Sequence, residues 1–293
     1  MDLRQVEYVL AVVDHRGFTR AATALHVAQP SLSQGVRRLE AELGVSLFER
    51  AGRRVVLTEA GEAFVGPARR VLREVASLEE AVAAVAGMTA GTLDLVSLPT
   101  LAADPLAPLV GRFRVAHPGV SVRVADPEDA GAVADMVADG RCELGLADLP
   151  ARRAELQTVR LHRQELLAVC PPGTDVRDRF PVTRFRDTPI VTSPPGTSTR
   201  DLLEDALRSR RVEPTVAVET NQREAIVPLV LAGAGVALLP APLARVAADQ
   251  GAVVAPLTPA VTRTIGLLHR PGPLSPAARA FVELSTAHHP TVL

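Results

Sequence analysis

Residues 58–87 read as one long helix. Phe64, Ala68, Val71, Val75, Leu78, Val82 and Val85 alternate spacings of four and three without a break. That is a heptad seam, the pattern by which one helix pairs with another. Gly66 and Pro67 fall near its start and predict a bend. An amphipathic helix lying on its own domain's core is the alternative. The length of the seam and the glycine that follows it (MTAGTL) favour a dimerising linker, residues 58–90. Whatever folds before this helix is small, and whatever folds after it is large. A chain of 293 residues accommodates more than one domain.

The first 57 residues read as three short helices and a hairpin. Leu3, Val6, Val9, Leu10 and Val13 share one face of a first helix over residues 2–15, and Gly17 ends it. Thr19 is placed as the N-cap of the alanine-rich TRAATALHV. In QPSLSQGVRRLEAELG, residues 29–44, Leu32, Val36, Leu39 and Leu43 recur at helical spacing. Gln29 and Pro30 open that helix, where the missing N–H of proline does no harm. Ser31, Ser33, Gln34, Arg37 and Arg38 form its polar face. Gly35 sits among them although glycine costs a helix interior about 1 kcal/mol relative to alanine. VSLFERAGRRVVLT then reads as two strands around a turn at Ala51–Gly52. Helix, helix, turn, helix and a basic hairpin outline a winged helix-turn-helix.

Beyond Gly91 strands and helices alternate. TLDLVSL, VSVRV and ELGLAD read as strands with two helices between them. A second series begins near Gln164 with ELLAVC, TPIVTS, PTVAVE and VALLP as strands, and TRTIGLLHR and SPAARAFVELST close the chain. Such alternation argues an α/β arrangement with parallel or mixed sheets. Two series of similar size imply two subdomains with a ligand cleft between them. The expected boundaries are residues 91–162 with 267–293 for the first and 163–266 for the second.

Composition narrows the chemistry. The net charge is −1, so a nucleic-acid surface must be local. No lysine occurs, and all 32 basic residues are arginine. Schiff-base chemistry, a Walker-type phosphate loop and a serine–lysine dyad each need that amine. Cys142 and Cys170 form no CxxC pair and have no histidine at zinc-ligand spacing, so they read as core thiols, with a redox pair as the alternative. No apolar run of membrane-spanning length and no apolar signal region are present, which predicts a cytoplasmic protein.

The run AATALHVAQPSLSQGVRRLEAELGVSLFERAGRRVVLTEAG, residues 21–61, carries a resemblance: the chain resembles the LysR-type transcriptional regulators over essentially its full length. RFRVAHPGV, ELGLAD and AGAGVALLP match the family more loosely. The resemblance implies a winged helix-turn-helix, a linker helix and a periplasmic-binding-protein-like effector domain of two α/β subdomains. Its partners would be double-stranded promoter DNA, a small-molecule effector and a second copy of the chain in a homodimer or homotetramer, with RNA polymerase a further candidate. No cofactor or metal is implied.

In a winged helix-turn-helix the second helix of the motif enters the major groove. Gln29, Pro30, Ser31, Ser33 and Gln34 lie in its first turns, where base edges are reached. Gln34 can pair with adenine, and Arg37 with guanine or a phosphate. Arg38 is placed on a phosphate, or on Glu42 at i+4. Arg53 and Arg54 would touch the backbone or minor groove from the hairpin, while Arg50 could pair with Glu40 or Glu49. Thr19 and Arg20 could hold a phosphate at the preceding helix start. Gly35, where relatives often carry alanine, would let a helix or a base edge approach closely, or is a tolerated loss of propensity.

By analogy with the family, the effector pocket is lined by Ser97, Leu98, Pro99 and Thr100 after the first strand, with Thr100 foremost. Gly196, Thr197, Ser198 and Thr199 would form the second wall at a helix start, where free N–H groups favour an anion. Ordinary N-capping is the competing role for these hydroxyls. Asp126 and Asp148 would border the cleft, and Asp148 weighs against a carboxylate placed on it.

Three other functions compete, and the first, a solute-binding protein, needs an export signal that the sequence does not show. As an enzyme, GTSTR lacks the last glycine of a nucleophile elbow, and GAGVAL follows a helix and has Leu238 where a dinucleotide fingerprint needs a small residue. As a redox sensor of the same family, the chain would use Cys142 and Cys170 as its switch.

Overall fold

A computed structural model describes residues 1–51, 54–85, 91–127 and 129–288. The chain divides into two compact units, Met1–Ala90 with Ala138–Cys142, and Gly91–Val137 with Glu143–Leu293.

The first unit opens with α1 (Leu3–Asp14), whose N-cap Asp2 accepts from the Arg4 N–H and is closed by Gln5 in a capping box. α2 (Phe18–Ala24) is capped by Gly17, not by Thr19 as the sequence suggested. The chain already turns helical at Phe18, which puts Thr19 inside the first turn. α3 (Gln29–Leu43) begins with Pro30 in its first turn and ends at Gly44, whose φ of 72° is the left-handed cap that glycine tolerates. β1 (Phe48–Ala51) and β2 (Arg54–Leu57) pair antiparallel with Phe48 opposite Leu57. Of the turn placed at Ala51–Gly52, Gly52 lies outside the described residues.

Leu32, Val36 and Leu39 of α3 pack with Tyr8, Val9, Val12, Ala21, Ala22 and Leu47 in one core. Leu43, placed on that apolar face, is 41% exposed instead. It is the last residue of the helix, where no neighbouring element covers it. Glu40 reaches past the helix end and accepts from the backbone N–H of Leu47 at 2.8 Å and of Phe48 at 3.2 Å. It therefore ties the hairpin to α3 and is not the partner of Arg50.

α4 (Glu59–Val85) starts behind Thr58, whose hydroxyl donates to the Ser46 carbonyl at 2.7 Å and accepts from the Gly61 N–H at 3.0 Å. The helix continues through Gly66 and Pro67. Its first turns pack on α1 through Phe64, Val65, Ala68 and Leu72 against Val6 and Leu10, and Arg69 pairs with Asp14. Further along the seam Val71, Leu78 and Val82 are exposed, at 44%, 67% and 71%. Among the described residues no helix is long and apolar enough to cross a membrane.

The second unit is α/β. Its elements in order are β3 (Gly91–Ser97), a 3-10 turn at Pro99–Leu101, α5 (Ala107–Ala116), β4 (Val120–Ala125), α6 (Ala130–Ala138), β5 (Leu144–Leu149) and β6 (Gln157–Cys170). There follow β7 (Phe180–Pro181), β8 (Ile190–Thr192), α7 (Ser198–Arg208), β9 (Val216–Glu219), α8 (Arg223–Leu231), β10 (Ala237–Pro240), α9 (Ala241–Asp249), β11 (Val253–His269) and α10 (Pro276–His288). The main sheet runs β10-β6-β11-β5-β3-β4. β3 is parallel to β4 and β5, whereas β11 is antiparallel to both β5 and β6.

The two long strands, β6 and β11, each serve both ends of this sheet. Thr264 to His269 of β11 pair with β5, while Val253 to Pro256 pair with the far end of β6, and the register slips between Pro256 and Val261. Sequence reading found only the ends of these strands, ELLAVC and TRTIGLLHR. One lobe is built on β3, β4 and β5. The other packs Leu166, Ala168, Cys170, Phe180, Phe185, Leu203 and Val236 on one side of its strands, and Val169, Val191, Ile226, Val230 and Ala244 on the other.

Candidate DNA interface and effector cleft

In the first unit α1, α2, α3 and the hairpin enclose an open hollow of about 1250 Å³. Thr19, Arg20, Gln29, Ser33 and Arg37, all expected to meet DNA, line it together. Arg16 and Arg50 line it as well, with Glu40 and Glu49. Arg16 was not anticipated, since at a helix end it reads as an ordinary solvated charge. The Arg20 guanidinium donates to the Arg16 carbonyl at 2.5 Å, which fixes its course along the rim.

Ser31, Gln34, Arg37 and Arg38 are exposed along α3, as are Gln29 and Pro30 at its start. Ser33 differs from expectation. It is only 7% exposed, and its hydroxyl takes a 2.7 Å hydrogen bond from the Gln29 amide. It is buried at the wall of the hollow, so it orients Gln29 rather than facing outward. Glu42 holds the N-terminal ammonium of Met1, and Arg38 is exposed. Arg53 lies outside the described residues, and of Arg54 only the backbone, in β2, is described. Gly35 faces Tyr8 of α1, not the exposed side of the helix.

In the second unit one residue that sequence reading missed gathers the expected effector groups. Arg263, on β11, is 3% exposed. Its Nε and Nη2 both donate to Gln164 Oε1, at 2.9 and 2.6 Å. Its Nη1 donates to Thr100 Oγ1 at 3.0 Å and to Ser198 Oγ at 3.4 Å, and lies 3.3 Å from Asp148 Oδ1. Ser198 in turn donates to Asp148 Oδ2. A buried guanidinium is costly unless its charge is matched and its N–H groups are used. Burial pulls the Arg263 pKa down from its usual value and Asp148 pushes it back up. Gln164, the other unforeseen member, sits near the middle of β6. His162, also on β6, is held below the ordinary imidazole value chiefly by burial and further by Arg263, while Asp104 opposes the shift.

Thr100, Asp148 and Ser198 are therefore brought together, from the turn after β3, the end of β5 and the start of α7. Thr199 is 8% exposed, and its hydroxyl is buried with no partner among the described residues. Thr197 occupies the N-cap position of α7 without making a capping bond. Its hydroxyl donates to the Pro194 carbonyl at 2.9 Å and lies 2.6 Å from Ser193 Oγ. The Ser97 hydroxyl is turned onto the Leu98 carbonyl at 3.1 Å. Leu98 is buried, Pro99 opens the 3-10 turn that presents Thr100, and Gly196 takes a φ of 85° in the loop before α7. Asp126 is exposed just past β4 and is not among the groups bonded to Arg263.

A helix-turn-helix with a wing, a long helix and an α/β module whose buried polar groups converge between two lobes define a ligand-responsive DNA-binding protein. Residues 3–62 match the family model described as bacterial regulatory helix-turn-helix protein, lysR family, and residues 86–290 match the LysR substrate binding domain. The chain belongs to the LysR family of transcriptional regulators. It is 30% identical to the HTH-type transcriptional regulator CfxR of Cupriavidus necator over 242 residues, which cover 82% of this chain and 75% of that one. It is also 30% identical to the DNA-binding transcriptional dual regulator OxyR of Escherichia coli, over 98% of this chain and 94% of that one. A full-length OxyR variant from Pseudomonas aeruginosa superimposes with a TM-score of 0.78 at 25% identity, covering 98% of this chain and 95% of that one. The chain is thus a DNA-binding transcriptional regulator carrying an effector-binding domain, and its family is one of regulators, not enzymes.

Proposed function

We propose that this regulator binds promoter DNA through α3 and the basic hollow beside it, and that a small effector held around Arg263 modulates that binding. The convergence of Thr100, Asp148, Ser198 and Gln164 on one buried guanidinium carries the reading. These groups come from both lobes, so a ligand that takes over any of the bonds alters how the lobes are joined. Ser97, Leu98, Pro99, Gly196, Thr197 and Thr199 complete the surroundings, with Asp126 at the margin.

On DNA, Gln34 and Arg37 read base edges. Arg20, Arg38, Arg53 and Arg54 hold phosphates, assisted by Thr19, Gln29, Pro30 and Ser31. One recognition helix covers only a few base pairs, so two half-sites are needed. The exposed Val71, Leu78 and Val82 of α4 support pairing with a second copy, as a homodimer or a homotetramer. The working division is residues 1–57 for DNA binding, 58–90 for the linker, and 91–162 with 267–293 and 163–266 for the two effector subdomains. Cytoplasmic location and contact with RNA polymerase belong to the same proposal.

A metabolite screen by thermal shift tests the effector site. Hits should stabilise the wild type and lose that effect in Thr100→Ala. Equal stabilisation of both proteins would place the pocket elsewhere.

The similarity to relatives named hydrogen peroxide-inducible genes activators favours a second reading, a redox switch of Cys142 and Cys170. Both thiols are buried. Burial pushes the Cys170 pKa up to about 11, only partly offset by Arg184. A thiol of that kind is a poor nucleophile toward peroxide, so the effector reading is preferred.

A further inference from the structure

Away from the cleft, α7 and the segment after it form a second pocket, of about 730 Å³, on the β8–β9 lobe. Four guanidinium groups line it, Arg186, Arg200, Arg208 and Arg211, against two carboxylates, Glu204 and Glu213. Asp205, paired with Arg208 from just outside the lining, leaves a net excess of one positive charge in a chain whose net charge is −1. Basic residues at a helix C-terminus offset its dipole, but that explains Arg208 alone. Arg200 comes from the first turn of α7, Arg186 from the 3-10 turn before β8, and Arg211 from a loop residue with a φ of 55°.

The arginines are incompletely consumed by the protein. Arg200 donates its Nε to Glu204 Oε1 at 2.7 Å and leaves Nη1 buried with no partner among the described residues. Arg208 stands 4.0 Å from Glu204 and is paired with Asp205 at 3.0 Å. Arg186 reaches the Arg211 carbonyl only at 3.5 Å. That N–H group keeps an unused hydrogen-bonding capacity at the pocket wall. The floor, by contrast, is apolar, with Leu207 and Val212 buried beneath the arginines.

We propose that this pocket binds a small phosphate monoester, its phosphoryl group among the four arginines and its carbon portion on the Leu207 and Val212 floor. A monoester carries about −1.5 to −2 charges at neutral pH, opposite in sign to the excess of the pocket. Guanidinium forks pair two-point with phosphoryl oxygens. The site is distinct from the Arg263 cleft, so the regulator has two small-molecule inputs, with α7 running from one to the other.

Calorimetric titration of the full chain at constant ionic strength tests this, with glycerol 3-phosphate, inorganic phosphate and glycerol as probes. The ester should bind at one site per chain, inorganic phosphate at the same site more weakly, and glycerol not at all. The exposed pair Arg186→Gln with Arg211→Gln should weaken the ester at least about tenfold, while Thr100→Ala, in the other cleft, leaves it unchanged. Three results would overturn the assignment: binding matched by chloride, binding retained in the double variant, or binding lost in Thr100→Ala.

Discussion

The ring of Tyr8 in α1 packs against the backbone of Gly35 in α3, so closely that a methyl group there would stand 2.7 Å from Tyr8 Cδ2 and 3.0 Å from Cε2. Tyr8 is itself buried, so the ring has little room to withdraw. Glycine in this helix is therefore the contact surface for α1. Helix propensity alone would make Gly35→Ala stabilising by about 1 kcal/mol. Overpacking costs about 1–3 kcal/mol, and the geometry says it wins. Urea unfolding should show Gly35→Ala less stable than wild type, with stability regained when Tyr8→Leu is added. A more stable Gly35→Ala would show the contact to be slack.

Arg263 makes a different kind of prediction, because its removal strands its partners. Arg263→Met should cost about 3–5 kcal/mol, as breaking a buried pair does. Adding Asp148→Asn should recover part of that loss by removing the uncompensated carboxylate. If the single variant unfolds at the wild-type denaturant concentration, the ion pair is not holding the lobes.

His162 gives the cleft a pH dependence. Its folded pKa lies below the ordinary value of about 6.5. The unfolded chain thus binds more protons than the folded one near and below that pH, and stability must rise with pH there. The contribution is present above about pH 6.5 and is lost as pH falls through the folded value. Melting temperatures between about pH 7.5 and 5.5, compared with His162→Gln, should show a steeper fall for wild type. Parallel curves would mean that His162 titrates normally.

Cys142 and Cys170 should resist thiol reagents in the folded protein and react fully after denaturation, since both are buried and Cys170 is held protonated at neutral pH. Mass spectrometry after mild peroxide should find neither a disulfide nor an oxidised thiol. An intramolecular disulfide formed without unfolding would revive the redox reading.

Much of the N-terminal unit was legible because its signals are local. Pro30 and Gly44 bracket α3, and Leu32, Val36 and Leu39 repeat at helical spacing and are buried. Ser33 and Leu43 were misplaced because burial at the margin of a helix face depends on which neighbour covers it, and periodicity does not say. In the second unit β11 extends well before TRTIGLLHR, through Pro256 and Pro259, residues that interrupt a strand pattern. Arg263 was overlooked for a related reason: a charged residue in a strand reads as solvated. The signal was nonetheless present. Val261, Arg263 and Ile265 alternate with Thr262 and Thr264, which puts the guanidinium on the buried face of β11. Gln164 shares such a face with Leu166 and Ala168 of β6 in the same way.

The most direct measurement is operator affinity. Duplexes selected from genomic DNA by the full-length protein should yield one sequence bound at least about 10³-fold more tightly than random DNA at physiological salt. Gln34→Ala should weaken that duplex by about 1–3 kcal/mol and relax the preference at its contacted base pair, while Arg20→Gln should weaken all duplexes alike and flatten the salt dependence. A Gln34→Ala protein with wild-type affinity and wild-type sequence preference would contradict the placement of α3 in the major groove.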